Sequence, residues 1–191
     1  MTVRLVATLG HPLLREWAQP LAPEELEHPA TQTLIDDLID TMRYCNGAGL
    51  AAPQVMASER IAAIEVHANP RYPYKPDIDL TILVNPEIEP LTEETFANNE
   101  GCLSVPALRG VTRRFVEIGV RALDRQGRPV EREVRGLSAV TFQHEVDHLN
   151  GTLFVDRVED PTTFATWEQY ERFQREEFVV RAAALVARFG S

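Results

Sequence analysis

His144, Glu145 and His148 stand in the pattern H-E-x-x-H, two imidazoles four residues apart with a carboxylate beside the first. On a helix, residues four apart share a face with Cβ atoms about 5–6 Å apart, so both rings can reach one ion. Glu145 lies about 100° round such a helix from His144. There it can take a proton from a water on the ion without being a ligand itself. The competing reading is an ordinary amphipathic helix, with the histidines on its apolar side and Glu145 and Asp147 in solvent. What separates the two is a third ligand, because a catalytic divalent-metal site generally has three protein ligands and one open position.

Three candidates for that ligand can be compared. The run His148-Leu149-Asn150-Gly151 begins the metzincin extension H-E-x-x-H-x-x-G-x-x-H, but Phe154 occupies the position of the third histidine, which excludes it. A glutamate from a later helix, as in thermolysin-like zinc peptidases, is the second option: Glu168 and Glu171 lie 20 and 23 residues beyond His148. Cys102, within Glu100-Gly101-Cys102-Leu103-Ser104, is the third, and its thiolate would complete a Cys-His-His set. Spacing alone leaves the last two open.

These residues need elements to hold them. Leu34, Ile35, Leu38, Ile39 and Met42 recur at intervals of three and four, which predicts a helix over Thr31 to Tyr44 ended by Asn46 and Gly47. Ile61 to Val66 and Thr81 to Val84 are short β-branched runs, and Val116, Ile118, Val120 and Ala122 alternate as in a half-buried strand. Gln126-Gly127 turns that strand into a second alternating run, Val130 to Arg135. The Pro- and Tyr-rich stretch from His67 to Asp79 reads as a surface loop. Helical spacing returns over Leu137 to Leu149 and stops at Asn150-Gly151, and a last helix is expected from Pro161 to Gly190. The expected class is α+β, with mixed, largely antiparallel sheets around a central H-E-x-x-H helix and a C-terminal helix over 161–189, in one domain spanning 1–191.

Composition sets outer bounds. The 191 residues are 44% apolar and 25% charged, enough for one buried core. A net charge of −10 repels a phosphate backbone on average, so nucleic acid is not an expected substrate. The sequence contains no apolar run of about 18 residues, and Met1 to Gly10 has no signal-peptide core, so a cytoplasmic protein, or an organellar one after processing, is expected, with no membrane association. Cys45 and Cys102 are the only cysteines, and no disulfide is expected in a reducing compartment.

Three segments decide between the open options: Gly47-Ala48-Gly49-Leu50-Ala51-Ala52-Pro53-Gln54, Glu100-Gly101-Cys102-Leu103-Ser104 and Gln143-His144-Glu145-Val146-Asp147-His148. In this order they resemble the three signature motifs of peptide deformylase. The resemblance runs from about Leu9 to Asp156 and takes in Arg109-Gly110-Val111 and the Asp124 to Gly127 turn.

The resemblance implies a hydrolase that removes the N-terminal formyl group from nascent polypeptides beginning with formylmethionine and releases formate. It implies one divalent ion, Fe2+ natively with Zn2+, Ni2+ or Co2+ as substitutes, held by Cys102, His144 and His148. Water on that ion would lose a proton to Glu145 and attack the formyl carbon, and Glu145 would return the proton to the leaving amine. The Gln54 side-chain amide and the Leu103 backbone N–H would stabilise the oxyanion. Gly47, Ala48, Gly49, Glu100, Gly101 and Arg109 would bind the substrate, the two loop glycines through backbone conformations closed to other residues. Leu137 and Val140, seven and four residues before His144, are the expected walls of an apolar side-chain pocket. Glu100, Arg114 and Asp147 would orient the ligands or one another. Family members work at the ribosome, some through a basic C-terminal helix. Here four arginines meet four glutamates from residue 161 onward, which argues against docking by this tail.

Overall fold

The computed structural model describes residues 2–69, 71 and 73–190. Pro70 and Tyr72 of the 67–79 stretch, Met1 of the segment read for a leader, and Ser191 lie outside the described residues.

Two helices, α1 (Pro23–Glu27) and α2 (Pro29–Tyr44), open the regular structure. The expected periodicity of α2 is realised: Leu34, Ile35, Leu38 and Met42 are buried against Leu50, Ile61, Ala63 and Val84. Asn46 ends it in a left-handed conformation (φ 52°), and Gly47 N–H closes back on the Met42 carbonyl at 2.9 Å.

Strands β1 (Gly49–Ala51), β2 (Ile61–Val66), β3 (Ile78–Pro90), β6 (Glu117–Leu123) and β7 (Pro129–Arg135) form a five-stranded sheet in the order β1-β2-β3-β6-β7. The run read at Thr81 to Val84 is the middle of β3, which is irregular between Val84 and Glu87. The Gln126-Gly127 turn joins β6 to β7 as expected, with Gly127 at φ 76°. Strands β4 (Thr95–Cys102) and β5 (Val105–Phe115) form a second sheet with β8 (Ala165–Thr166). Every pairing between named strands is antiparallel.

Helix α3 (Gly136–Leu149) carries the H-E-x-x-H motif through the interior, and all its residues are buried except His144, which is half-buried. Ala139 and Phe142 pack with Ile64, Leu83, Ile118 and Val120 of the five-stranded sheet. A helix so fully enclosed must find partners for its polar groups inside the protein.

The continuous helix expected from Pro161 to Gly190 is not formed. Pro161–Thr163 makes one 3-10 turn whose start is capped by Asp160, and β8 then pairs with Leu108 and Arg109. Thr166 accepts from Gln169 N–H and starts α4 (Trp167–Phe173), and α5 (Arg175–Phe189) follows after Gln174. Apolar spacing persisted through 161–189, but side chains that cap helix starts and an open edge of β5 divided it. Tyr170 and Phe178 are buried with Leu137, Ala165 and Ala182, so this segment packs on the body as expected.

Candidate active site

Helix α3 sets His144 and His148 edge to face, ring centroids 5.0 Å apart. The chain reverses after β4, with a register shift at Gly101/Cys102, and this irregularity points Cys102 at the helix. Its Sγ lies 3.2 Å from His148 Nε2, and one donor atom from each of Cys102, His144 and His148 lies within 4.8 Å of the others. Among the described residues this is the group of three that could hold a metal ion. Glu168 is exposed and Glu171 faces Arg175 at 3.4 Å, so neither later glutamate joins it.

Burial alone would raise the Cys102 thiol, but the His148 and His144 imidazoles hold it well below the ordinary thiol range. A thiolate and two imidazoles converging from a helix and a strand end are the donors expected for a transition-metal ion. Each ring must also be fixed in place, and for His144 that partner is Glu100, whose Oε2 lies 2.7 Å from Nδ1, leaving the other ring nitrogen for the cluster. Burial pushes the Glu100 carboxyl up, yet the Arg114 guanidinium and His144 hold it well below the usual carboxylate range. Arg114 contacts both oxygens of Glu100, at 2.6 and 3.0 Å, and gives its remaining nitrogen to Asp147 at 2.6 Å. Arg157 closes the far end of this chain on Asp147 at 2.5 and 2.8 Å, and Thr112 donates to Glu100.

Glu145 takes no part in that network. It is buried, its Oε2 has no hydrogen-bond partner, and burial raises its pKa against the pull of both histidines. Its carboxylate occupies space that Gly49 leaves vacant: a Cβ on Gly49 would sit 2.5 Å from Oε1. At Gly47 a Cβ would press on Leu103 and the Gly49 carbonyl at 3.2 Å. Neither residue has a positive φ, which corrects the expected reason for these glycines. The loop needs room beside Glu145 and Leu103, and no special backbone conformation.

The family model described as polypeptide deformylase matches residues 3–164. The chain belongs to that family. Peptide deformylase 2 of Nostoc sp. is 43% identical over 167 residues, covering 87% of this chain and 92% of that protein. Peptide deformylase 1 of Bordetella pertussis is 40% identical over 166 residues, 87% of this chain and 93% of the other. Among solved structures, the class I type b peptide deformylase of Acinetobacter baumannii bound to Met-Ala-Ser superposes with a TM-score of 0.79 at 42% identity, covering 82% of this chain and 99% of that one. The peptide deformylase of Legionella pneumophila covers 98% of this chain and 99% of its own at a TM-score of 0.73 and 34% identity.

In this deformylase a small cavity of about 60 Å³ opens beside the candidate metal-ligand cluster. Gly47, Ala48, Gly49, Gln54, Gly101 and Leu103 line it together with Glu145 and Val140. Gln54 Oε1 accepts from Ala51 N–H at 2.9 Å, which aims Nε2 at Ser104 Oγ (3.1 Å) and Cys102 Sγ (3.6 Å). Glu100 lines the cavity, and its oxygens also contact Arg114, Thr112 and His144, an arrangement that fits the expected orienting of His144. Leu137 is not on the cavity wall; it is buried behind it with Tyr170 and Phe178, its direction round the helix falling on the α4–α5 side.

Arg109 lines the cavity although it is only 2% exposed. It donates to the Asn99 side chain and backbone at 2.5 and 2.8 Å, while its Nη1 has no partner. Its guanidinium lies over the rings of Tyr170 and Trp167, 4.4 and 4.9 Å from their centroids.

Several residues had no role in the sequence reading: Asn99, Tyr74, Lys75, Thr141 and Phe178, which line the cavity, and Ser104, which accepts from the Gln54 amide. Ser104 stood inside a recognised motif and could have been found there. Lys75, which donates to Thr141 Oγ1 at 2.9 Å and is held down to about 8 by burial, lay in an apparent surface loop with no local signal.

Proposed function

We propose that this cavity receives the formyl end of an N-formylmethionyl peptide, with Cys102, His144 and His148 holding one divalent ion and Glu145 carrying the proton. The chain is a hydrolase of the deformylase family, whose reaction removes N-terminal formyl groups. The observation that carries the residue assignment is the convergence of one sulfur and two imidazole donors within 4.8 Å beside a buried carboxylate whose Oε2 is unpartnered.

A divalent ion there supplies Lewis acidity, lowering the pKa of water and polarising the formyl oxygen. Glu145 takes one proton of the attacking water on its free oxygen. Its raised pKa suits it to hold that proton until the C–N bond breaks and the departing nitrogen needs it. Water oxygen and formyl carbon form the new bond, the C–N electron pair leaves with nitrogen, and formate and a free amino terminus result. Negative charge gathers meanwhile on the former carbonyl oxygen. The Gln54 amide, braced by Ala51, turns an N–H from the Cys102 sulfur toward that oxygen, and the Leu103 backbone N–H is the second donor. One such donor typically accounts for about 10²–10³ in kcat. Arg109 Nη1, buried and unpartnered at the cavity, is placed to take a peptide carbonyl of the substrate.

Fe2+ is assigned as the native ion from the family pattern, and a thiolate with two imidazoles also accommodates Zn2+, Ni2+ or Co2+. The substrate is a nascent chain, encountered at the ribosome in the cytoplasm or an organelle. The balanced charges of 161–191 give the tail no basic surface for docking. No helix among the described residues is long and apolar enough to cross a membrane.

Formate release from formyl-Met-Ala-Ser tests this reading on anaerobically purified protein loaded with Fe2+, Ni2+ or Co2+. Wild type should turn over, and Glu145→Gln should keep the metal but lose about 10²–10⁴ in kcat. No formate with any of the three ions would end the reading.

A further inference from the structure

The family model's match ends at residue 164, yet the chain beyond it reaches the cavity. Phe178 of α5 lines the cavity beside Tyr74, Val140 and Thr141. The Tyr74 and Phe178 rings meet edge to face, centroids 5.3 Å apart at 83°, so Tyr74 and α5 close on each other here. Phe178 is fixed from behind by Tyr170, 6.2 Å away, and by the cluster of Leu137 and Ala182. Tyr170 and Trp167 of α4 in turn carry the Arg109 guanidinium. One segment therefore supplies a wall of the cavity and the platform under its arginine.

The position of the wall gives it a role. Val140 lies four residues before His144, about 6 Å along the α3 axis. A peptide whose formyl carbon lies at the cluster and whose backbone follows the Gly47–Gly49 loop has its first side chain about this far from the reacting carbon. The boundary met there is Val140, Phe178 and Tyr74, one branched aliphatic side chain and two ring edges. An unbranched thioether can thread between ring edges and gain sulfur–aromatic contact, whereas a β-branched or aromatic side chain meets the rings.

We propose that Phe178 and Tyr74 wall the recess for the substrate's first side chain, so that the C-terminal segment sets which side chains enter. This rests on the deformylase reading of the cavity, and the test separates the two. The full chain is titrated calorimetrically with the product peptides Met-Ala-Ser and Phe-Ala-Ser, and kcat/KM is measured on their formylated forms with Ni2+ bound. Phe178→Ala should raise the Phe-to-Met preference by about tenfold or more in both binding and kcat/KM, the range that pocket size commands. Phe178→Leu, which keeps an apolar core residue, should shift the preference in the same direction by a smaller factor and serves if the alanine variant does not fold. Tyr74→Ala should do likewise, while Val180→Ala, on the exposed side of α5, should leave the preference unchanged. A preference within twofold of wild type in folded Phe178 and Tyr74 variants would overturn the proposal, reducing Phe178 to core packing. A shifted binding preference without formate release from wild type would uphold the wall while refuting the deformylase reading.

Discussion

Helix α3 packs against two sheets of opposite character. The five-stranded sheet meets it with Ile64, Leu83, Ile118 and Val120, all fully or almost fully buried hydrocarbon. The β4–β5 hairpin instead buries Asn98, Asn99, Glu100, Arg109, Thr112 and Arg114, six polar side chains in two adjoining strands. Hydrocarbon packing is non-directional and tolerates small displacements. A buried ion network fixes distances and angles, at the cost of desolvating every charge in it. One sheet therefore holds the helix in place, and the other aims His144 and presents Cys102.

The contrast is sharpest at Arg114. Arg114→Leu leaves the buried Glu100 without its guanidinium and Asp147 with Arg157 alone, and loss of about 3–5 kcal/mol is expected by urea unfolding. The same variant should weaken metal binding by about 10–100-fold, because Glu100 no longer orients His144. Leu83→Ala in the other sheet should cost about 2–5 kcal/mol while leaving metal affinity unchanged. If both variants lose stability and Arg114→Leu keeps full metal affinity, the division of labour between the sheets is wrong.

The smallest effect concerns an ion pair that joins α2 to the apolar sheet. Arg43 holds the Glu65 carboxyl below the usual range with contacts of 2.6 and 2.7 Å, and the arginine is half exposed. A depressed folded-state pKa means the contribution is present above the unfolded value of about 4.3 and disappears as pH falls through the folded value. Glu65→Gln should therefore lose less than about 1 kcal/mol at pH 7 and nothing at pH 3, read from parallel unfolding curves. A larger loss at pH 7 would mean that this sheet, too, depends on charge.

The same contrast governs what the sequence made legible. Apolar periodicity marked α2, β2, β6, β7 and α3 to within a few residues, because hydrocarbon burial writes a repeating pattern. The β4–β5 hairpin has no such pattern, since its inward side chains are polar and their pairing depends on residues far away in the chain. Two of the three candidate metal ligands share one helix and could be paired by spacing. Cys102 comes from the other sheet, and only its motif context singled it out against Glu168 and Glu171. Gly47 and Gly49 were identified for the wrong reason, because what crowds them, Leu103 at Gly47 and the Glu145 carboxylate at Gly49, lies more than 50 residues away in the chain. The segment 161–189 looked like one helix because capping by Asp160 and Thr166 and pairing with β5 leave no trace in the apolar spacing.

Cobalt titration of the metal-free protein, followed by thiolate-to-cobalt charge-transfer absorption, tests the central claim most directly. Wild type, Glu145→Gln and Glu168→Gln should each bind one equivalent with the sulfur band, while Cys102→Ser should lose the band and retain no metal through desalting. Full retention of one equivalent by Cys102→Ser would contradict the Cys102–His144–His148 site.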